Sequence, residues 1–367
     1  MQAPSSCSTP RRGPSSPCPR TRPSTRTSSP TGSPPLRRLR SSTRAPARPF
    51  TNRAVQGQYA AGSTWKLVVA AAALDAGVTT PERVVRDTGA FTIPDCRGKC
   101  RFQNAGNTVY GNVDLRRALT VSSDVYFYDL GFQLWNRRAE LGDAAMQDKA
   151  VELGFGTETG VDVPSEADGR VPTPASRAKA FADRPDLFMT GDWFVGDNVN
   201  LAIGQGELAI TPVQLANAYA TFFGGGVQHA PNVALRVQSR DGQVDRVFEP
   251  RVTRTIPIDP AIREPIREGL QGVTAIDEGT AARAFTGFPL DRYPVIGKTG
   301  TAQAPPKQDN ALFVGVAPAD DPRYVVSVVM EQSGFGSTAA APVARAILDV
   351  LSAQSGVGPA SGSPGDQ

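Results

Sequence analysis

Two short motifs lie far apart in the sequence, and the fold must bring them together. Ser63-x-x-Lys66 opens an alanine-rich stretch, and Lys298-Thr299-Gly300 follows an apolar run much later in the chain. A serine and a lysine three positions apart share one face of a helix, so the hydroxyl and the amine can lie within hydrogen-bond reach. The first motif therefore predicts a nucleophilic serine that lysine activates.

The residue composition favours lysine over histidine as the activating group. His229 is the one histidine among 367 residues, so a multi-histidine metal site is excluded. A Ser/His/Asp triad could use only His229 as its histidine. Only six of the 39 basic residues are lysines, and Lys66 and Lys298 are two of them. A desolvated lysine can lose its proton whereas arginine cannot, so both lysines are candidates for a neutral amine or a compact ammonium.

The two ends of the chain differ in composition from the middle. Residues 1–49 are almost wholly Ser, Pro, Arg, Thr and Gly, with no acidic residue, and cannot bury enough apolar surface to fold. We expect this tail and residues 354–367 to be disordered, with one domain over residues 50–353. Because no aromatic residue in the basic tail could stack on bases, nucleic acid is not expected as a partner.

The sequence indicates neither a membrane segment nor a bound cofactor. It has no run of about 18 apolar residues, and its start lacks the apolar core of a signal peptide. Cys96 and Cys100 flank a short loop, where a disulfide and two free thiols are equally compatible with the spacing. A zinc site would need two further ligands, which no nearby histidine or cysteine supplies. We therefore expect no metal and no cofactor.

Local patterns predict the elements that carry these motifs. Residues 64–76 are rich in helix formers, and Gly77 can end that helix in a left-handed conformation. A second helical region, residues 115–130, is expected to break at residues 120–124, where polar side chains compete for backbone hydrogen bonds. Thr211 and Pro212 are typical of a helix start. Further predictions are a helix end at Gly224, a loop at His229, strands over residues 293–298, 312–317 and 324–331, and a closing helix over residues 341–351.

The remaining motif residues could complete an acyl-transfer site. Ser122 could pass a proton to a leaving amine and Asp124 could orient a lysine, although a simple helix-capping turn would use the same residues. Lys298 and Thr299 are predicted at the end of a strand, where they could hold a substrate carboxylate. Gly300 permits close backbone approach, and the N–H groups of residues 63 and 301 could bind an oxyanion.

The order of the three motifs resembles a known family. S-x-x-K, S-x-N and K-T-G are the signature of penicillin-binding proteins and serine β-lactamases. Residues 52–59, 122–128, 200–206 and 297–303 extend the likeness, and the chain over residues 50–352 resembles a class B penicillin-binding protein of the elongation type, the penicillin-binding protein 2 group. The resemblance implies an α/β (α+β) fold of the β-lactamase/transpeptidase type: a central antiparallel sheet flanked by helices, plus an all-helical lobe.

The resemblance also implies a function for each motif residue. The expected enzyme is a serine D,D-transpeptidase that cross-links peptidoglycan stem peptides through an acyl-enzyme on Ser63, which penicillins and other β-lactams would also acylate. By this resemblance Lys66 would be the general base, Ser122 the proton shuttle and Asp124 the support for the base. The substrate carboxylate would be held by the third motif and the residue after it, Lys298, Thr299, Gly300 and Thr301, where Gly300 permits close backbone approach. The resemblance further implies that the protein works with a membrane glycosyltransferase and lies at the outer face of the cytoplasmic membrane.

Two features depart from the family pattern. Asp124 replaces the usual Asn of the second motif, and a carboxylate there would hold Lys66 charged more strongly. The family places a membrane anchor, a pedestal and the first sheet strands ahead of the serine motif, where this chain has residues 1–49. We therefore expect that residues 1–49 are not the native upstream sequence but arise from a wrong start or a shifted reading frame.

Three alternative functions share the same serine and lysines. A β-lactamase would need a deacylating base, and no E-x-x-L-N segment lies between Asp124 and Lys298. A D,D-carboxypeptidase differs only in using water as the acceptor, which the sequence does not exclude. A non-catalytic penicillin-binding fragment or sensor would capture the ligand at Ser63 without turnover.

Overall fold

The computed structural model describes residues 49–98 and 100–357, which combine helices with short strands. The predicted disorder of residues 1–49 and 354–367 falls almost wholly outside these ranges. The helices are α1 (Arg53–Gln56), α2 (Lys66–Asp75), α3 (Leu115–Thr120), α4 (Asp124–Asn136), α5 (Arg138–Leu141), α6 (Ala145–Glu152), α7 (Pro174–Asp183), α8 (Val195–Leu201), α9 (Pro212–Phe223), α10 (Pro260–Ala275) and α11 (Ala340–Gln354). The strands are β1 (Val85–Asp87), β2 (Ala90–Thr92), β3 (Arg101–Gln103), β4 (Gly111–Val113), β5 (Val227–Ala230), β6 (Arg236–Gln238), β7 (Val244–Val247), β8 (Arg251–Thr255), β9 (Ile296–Ala302), β10 (Asn310–Ala317) and β11 (Tyr324–Met330).

The central sheet of the described residues has three antiparallel strands in the order β11-β10-β9. Strand β10 is buried over nearly its whole length, since α9 and α11 pack against it and α10 packs against β9. Its unbroken apolar run suits this position, because a strand covered on both faces needs no polar alternation. The antiparallel sheet flanked by helices confirms the predicted fold class.

Helix α2 lies at the centre of the helical part of the domain. Its residues 66–73 are all buried, and α4, α6 and α10 pack against it. The alanines and valines of α2 are apolar on every side, which suits a helix that neighbours surround completely. No helix in the described ranges is long and apolar enough to cross a membrane. Because packing fixes α2 on all sides, the first turn of α2 is a rigid place for reactive side chains.

Several sequence predictions for helices are confirmed. The helix predicted over residues 64–76 starts as a 3-10 turn, Gly62–Trp65, and continues as α2 up to the left-handed Gly77. The predicted break between two helices lies between α3 and α4. Thr211 caps α9, which ends before Gly224. In each case the sequence contained the residue type that the backbone conformation requires.

Two sequence predictions are wrong. Strand β9 begins at Ile296 and continues to Ala302, so Lys298 and Thr299 lie inside the strand rather than at its end. Pairing with β10 extends the strand through Gly300, whose low strand propensity the seven-residue ladder overrides. His229 is an exposed residue of β5 rather than a loop residue, because β5 pairs with the distant β8.

Candidate active site

The serine of the first motif lies in the 3-10 turn Gly62–Trp65, directly before α2. Gly62 has a φ of +52°, and a Cβ there would lie 2.6 Å from the carbonyl oxygen of Thr301. The Gly62 N–H donates to the carbonyl of Gly204 at 2.9 Å, and a Cβ on Gly204 would collide with the Gly62 carbonyl. The backbone next to Ser63 is therefore clamped between two other segments of the chain.

The Ser63 side chain faces a pocket of about 400 Å³. Ser63 is partly exposed, and among the described residues its hydroxyl has no hydrogen-bond partner. Ser122, Asp124 and Thr301 line the same pocket. A hydroxyl without a partner, beside an enclosed space, is available to an incoming carbonyl group.

Ser122 lies between the two buried lysines. Lys66 Nζ donates to Ser122 Oγ at 3.1 Å and to Asp124 Oδ1 at 2.6 Å, while Lys298 Nζ donates to Ser122 Oγ at 2.8 Å. Both lysine side chains are fully buried. The structure thus brings together the lysines of the first and third motifs around the hydroxyl of the second.

The backbone at Ser122 adopts a left-handed conformation that residues other than glycine rarely adopt. Ser122 has a φ of +59° and lies just before Ser123, whose hydroxyl caps α4 by accepting from the Tyr126 N–H at 3.2 Å. The carbonyl of Ser122 also accepts from Lys66 Nζ at 2.8 Å. Residues in such sparsely populated regions persist only where surrounding contacts hold them, and they cluster at functional sites.

Burial lowers the pKa of both lysines. For Lys66 the loss of hydration lowers the pKa from 10.5, although the Asp124 carboxylate acts in the opposite direction. For Lys298 burial holds the pKa well below 10.5, and the charge of Lys66 lowers it further. Asp124 thus offsets part of the burial effect at Lys66 without reversing it. Each lysine is closer to releasing a proton at neutral pH than an exposed lysine would be.

Strand β9 presents an open edge to the pocket. Thr301 O accepts from Gln205 Nε2 at 3.3 Å and Thr299 O accepts from Lys298 Nζ at 3.0 Å, so neither carbonyl points toward β10. The N–H and C=O of one strand residue point to the same side, so the N–H groups of Thr299 and Thr301 also point away from β10. This edge can pair with an extended peptide in the pocket.

Several pocket residues were not found from the sequence. Thr280 shares a 2.7 Å hydrogen bond with Thr299 through their hydroxyls, and Gln205 contacts the Thr301 carbonyl. Gln205 lies in a segment that carried the family resemblance, whereas an isolated threonine such as Thr280 has no sequence signal. The other lining residues outside the motifs include Gln103, Asn104, Tyr110, Tyr128, Ile203, Gln303, Asp309, Phe335 and Ser337.

A disulfide closes the hairpin that forms one wall of the pocket. Cys96 and Cys100 are bonded at the tip of the hairpin of β2 and β3, which resolves the choice that the sequence left open. Phe91 and Phe102 of the two strands pack beside Tyr128 of α4. The aromatic cluster attaches the hairpin to the helix that carries Asp124.

The chain is similar to known peptidoglycan enzymes over most of its length. The family model "Penicillin binding protein transpeptidase domain" matches residues 19–349. The peptidoglycan D,D-transpeptidase MrdA of Haemophilus influenzae is 31% identical over 318 residues, which cover 82% of this chain and 45% of that protein. The chain therefore spans less than half the length of this curated relative.

Solved structures agree with this similarity. Pseudomonas aeruginosa PBP2 in complex with WCK 5153 superposes with a TM-score of 0.71 at 32% identity, covering 87% of this chain and 64% of that one. A chain from a peptidoglycan synthase complex that coordinates polymerization and crosslinking gives a TM-score of 0.67 at 28% identity, covering 86% and 49%.

Proposed function

The chain belongs to the penicillin-binding protein transpeptidase family, and we propose that it is a serine D,D-transpeptidase that cross-links peptidoglycan stem peptides. The observation that supports this most directly is the hydroxyl of Ser122, which accepts hydrogen bonds from both Lys66 and Lys298 at the pocket that Ser63 also lines. Three motifs from distant parts of the chain thus supply a nucleophile, a base and a proton relay in one pocket.

Acylation begins at Ser63. Its oxygen attacks the carbonyl of the penultimate D-Ala of a donor peptide while Lys66, in its neutral form, accepts the serine proton. The C–N bond to the terminal D-Ala breaks, and the leaving nitrogen takes a proton from Ser122, which Lys66 or Lys298 replaces. Asp124 holds the Lys66 amine in place throughout.

The oxyanion forms between the first and third motifs. The N–H of Ser63 lies in the 3-10 turn before α2 and the N–H of Thr301 points away from β10, so both are available to the substrate oxygen. A pair of fixed N–H donors in a partly dehydrated pocket supplies about 3 kcal/mol or more of transition-state stabilisation. The close approach of the two segments depends on Gly62.

The third motif holds the end of the donor peptide. An extended peptide antiparallel to β9 would place its terminal carboxylate near Thr299 and Lys298 and its scissile carbonyl near Thr301. Gly300 keeps the strand flat beside the serine turn, where a Cβ would lie 3.1 Å from the Ala61 carbonyl. A penicillin would use the same contacts, and attack by Ser63 would open its β-lactam C–N bond.

Deacylation completes the transfer. The nitrogen of an acceptor amine attacks the acyl-enzyme carbonyl and loses a proton to the Lys66 and Ser122 relay. The ester C–O bond to Ser63 then breaks, the Ser63 oxygen takes a proton back from the relay, and the acceptor leaves joined to the donor peptide by the new amide bond. We infer that this occurs at the outer face of the cytoplasmic membrane, beside a membrane glycosyltransferase that supplies new glycan. The synthase complex that matches this chain supports such a partner, since it combines polymerization with crosslinking.

Intact-mass spectrometry with penicillin tests the nucleophile. The parent protein should gain the mass of one penicillin, Ser63→Ala should gain none, and Ser239→Ala, at an exposed turn between β6 and β7, should react like the parent.

A synthetic donor ending in D-Ala-D-Ala, with an added amine acceptor, then tests turnover. A cross-linked product supports the transpeptidase, a hydrolysed donor indicates a carboxypeptidase, and acylation without turnover indicates a sensor. Labelling of Ser63→Ala at the parent rate would refute the proposal.

A further inference from the structure

A carboxylate outside the three motifs lies directly against the second one. Asp87 ends β1 and is fully buried. Its oxygens accept from the Gly89 N–H at 2.8 Å and from the Ser123 hydroxyl at 2.5 Å. Asn104 Nδ2 donates to both oxygens, at 2.9 and 2.8 Å. Within residues 49–98 and 100–357, no lysine or arginine forms an ion pair with Asp87. The charge is therefore held by neutral donors.

Asn104 extends this contact to α4. Besides its two bonds to Asp87, Asn104 Nδ2 donates to the Thr108 carbonyl at 2.8 Å, and its Oδ1 accepts from the Val125 N–H at 3.0 Å. Val125 lies in the first turn of α4, one residue after Asp124. The Asp87 and Asn104 pair thus holds Ser123 and Val125, the residues that lie on either side of Asp124.

An amide could not replace the carboxylate of Asp87 without loss, because its NH2 group would face the NH2 group of Asn104. Burying a charge is unfavourable unless hydrogen bonds or opposite charges stabilise it. The ionisable groups that face Lys66 are Asp124 from α4, Asp87 from β1 and Lys298 from β9, so Asp87 is a second carboxylate near the two lysines. Tyr110 faces the same two carboxylates, and burial together with their charge raises its pKa, which keeps it neutral.

We propose that Asp87 is a positioning residue of the active site, which holds the Ser122 turn through Ser123 and Asn104 and places a second carboxylate near Lys66. This inference rests on the proposed function, since it assigns a role within the same catalytic relay. Burial is the largest influence on the pKa of Lys66 and lowers it, while Asp124 and then Asp87 act in the opposite direction. Loss of the Asp87 charge should therefore make Lys66 easier to deprotonate.

The pH dependence of acylation separates this role from a merely structural one. If neutral Lys66 is the base, the rate rises with pH through the pKa of Lys66. In Asp87→Asn this rise should move to lower pH, and the maximal rate should fall at least about tenfold because two amide donors then face each other. Asn104→Ala keeps the charge, so it should lower the maximal rate without moving the rise.

A matched control and a second readout complete the test. Asp129→Asn neutralises a largely buried carboxylate of α4 that pairs with Arg83 and should leave the pH profile unchanged. With six lysines in the chain, NMR of carbon-13-labelled lysine can follow the Lys66 pKa without any acylation. That pKa should fall in Asp87→Asn and stay constant in Asp129→Asn.

The outcomes are distinguishable. An unlabelled parent protein would refute the proposed function, and the NMR titration would still decide the role of Asp87. An acylated parent with identical profiles and Lys66 pKa values in Asp87→Asn would overturn the inference. Should Asp87→Asn fail to fold, an unchanged maximal rate in folded Asn104→Ala would overturn it equally.

Discussion

The hydroxyl of Ser122 is the point where the proposed catalytic side chains meet. It accepts from Lys66 and Lys298, which occupies both of its lone pairs and leaves its own proton free to point into the pocket. A leaving amine in the pocket would find that proton, and either lysine could restore it. The relay therefore needs no movement of a backbone atom between acylation and deacylation.

The two motif lysines were easier to predict than the residues around them. Lys66 and Lys298 are unusual in an arginine-rich chain, and each lies in a recognisable motif. Asp87 and Asn104 are 17 positions apart, and nothing in the local sequence marks either one. Their pairing follows only from how β1 and the segment after β3 meet in space.

Lys66→Arg tests whether the base must lose a proton. Arginine can reach Asp124 but stays protonated, so the rate of penicillin acylation should fall by about 10²-fold or more. Stopped-flow measurement with a fluorescent penicillin gives the rate, and a melting curve verifies that the protein is folded. Lys149→Arg, at a lysine that pairs with Asp75 and Glu152 away from the pocket, should retain the parent rate. A rate for Lys66→Arg within threefold of the parent would exclude Lys66 as the base.

At the scale of elements, the helices were predicted well where a capping residue marks the start. Thr211 and Gln214 form a reciprocal cap at the start of α9, and the break between α3 and α4 follows from the serines there. The short strand pairs were not predicted, because each strand has only three to five residues and two of the pairs, β1 with β4 and β5 with β8, form across intervening strands. Tertiary contacts rather than local propensity select such strands.

Thr211→Ala tests the cap of α9. The Thr211 hydroxyl accepts from the Gln214 N–H at 3.2 Å in a fully buried setting, so its loss should lower the free energy of unfolding by about 1–2 kcal/mol. Thr173→Ala removes the equivalent cap of the exposed helix α7 and should cost less. Urea unfolding followed by circular dichroism measures both. Equal losses in the two variants would show that burial adds nothing at Thr211.

Gly204→Ala tests the clamp around the serine turn. A Cβ on Gly204 would collide with the Gly62 carbonyl, so the turn must shift and acylation should slow at least about tenfold. Gly77→Ala is the matched control, because Gly77 also has a positive φ, +59°, but has open space around it. Both variants should lose about 1 kcal/mol of stability from the backbone conformation, and only Gly204→Ala should lose reactivity. Equal acylation rates would show that the turn tolerates the shift.

At the scale of the whole molecule, the sequence established the fold class and the set of motif residues, but not how the site is enclosed. The sheet strands were predicted because β10 and β11 are long and apolar. The hairpin of β2 and β3 and the loop with Phe335, which both line the pocket, have no periodic pattern. The hairpin is positioned by packing against Tyr128, and the Phe335 loop by contact with β9. Neither contact is indicated by the local sequence.

Lys298→Met tests the stability cost of the active site. The pKa of Lys298 is lowered in the folded state, so between that pKa and 10.5 the unfolded chain binds more protons and stability rises with pH. Removing the buried amine should raise the melting temperature at pH 7 by about 2 °C or more and abolish acylation. The increase of the melting temperature between pH 7 and pH 9 should be smaller in the variant than in the parent. Lys179→Met, at an exposed lysine paired with Asp183, should give no such gain. A lower melting temperature for Lys298→Met at every pH would contradict the prediction.

Under the proposed function, the tight contact between the serine turn, Gly204 and the Thr301 backbone limits how drug tolerance could evolve. Main-chain atoms form most of that contact, so no side-chain replacement there can favour one ligand over another without harming both. Discrimination between an antibiotic and the natural peptide would have to arise at the pocket rim, at exposed groups such as Phe335. Resistant lineages should therefore accumulate changes around the entrance and leave the reactive centre untouched.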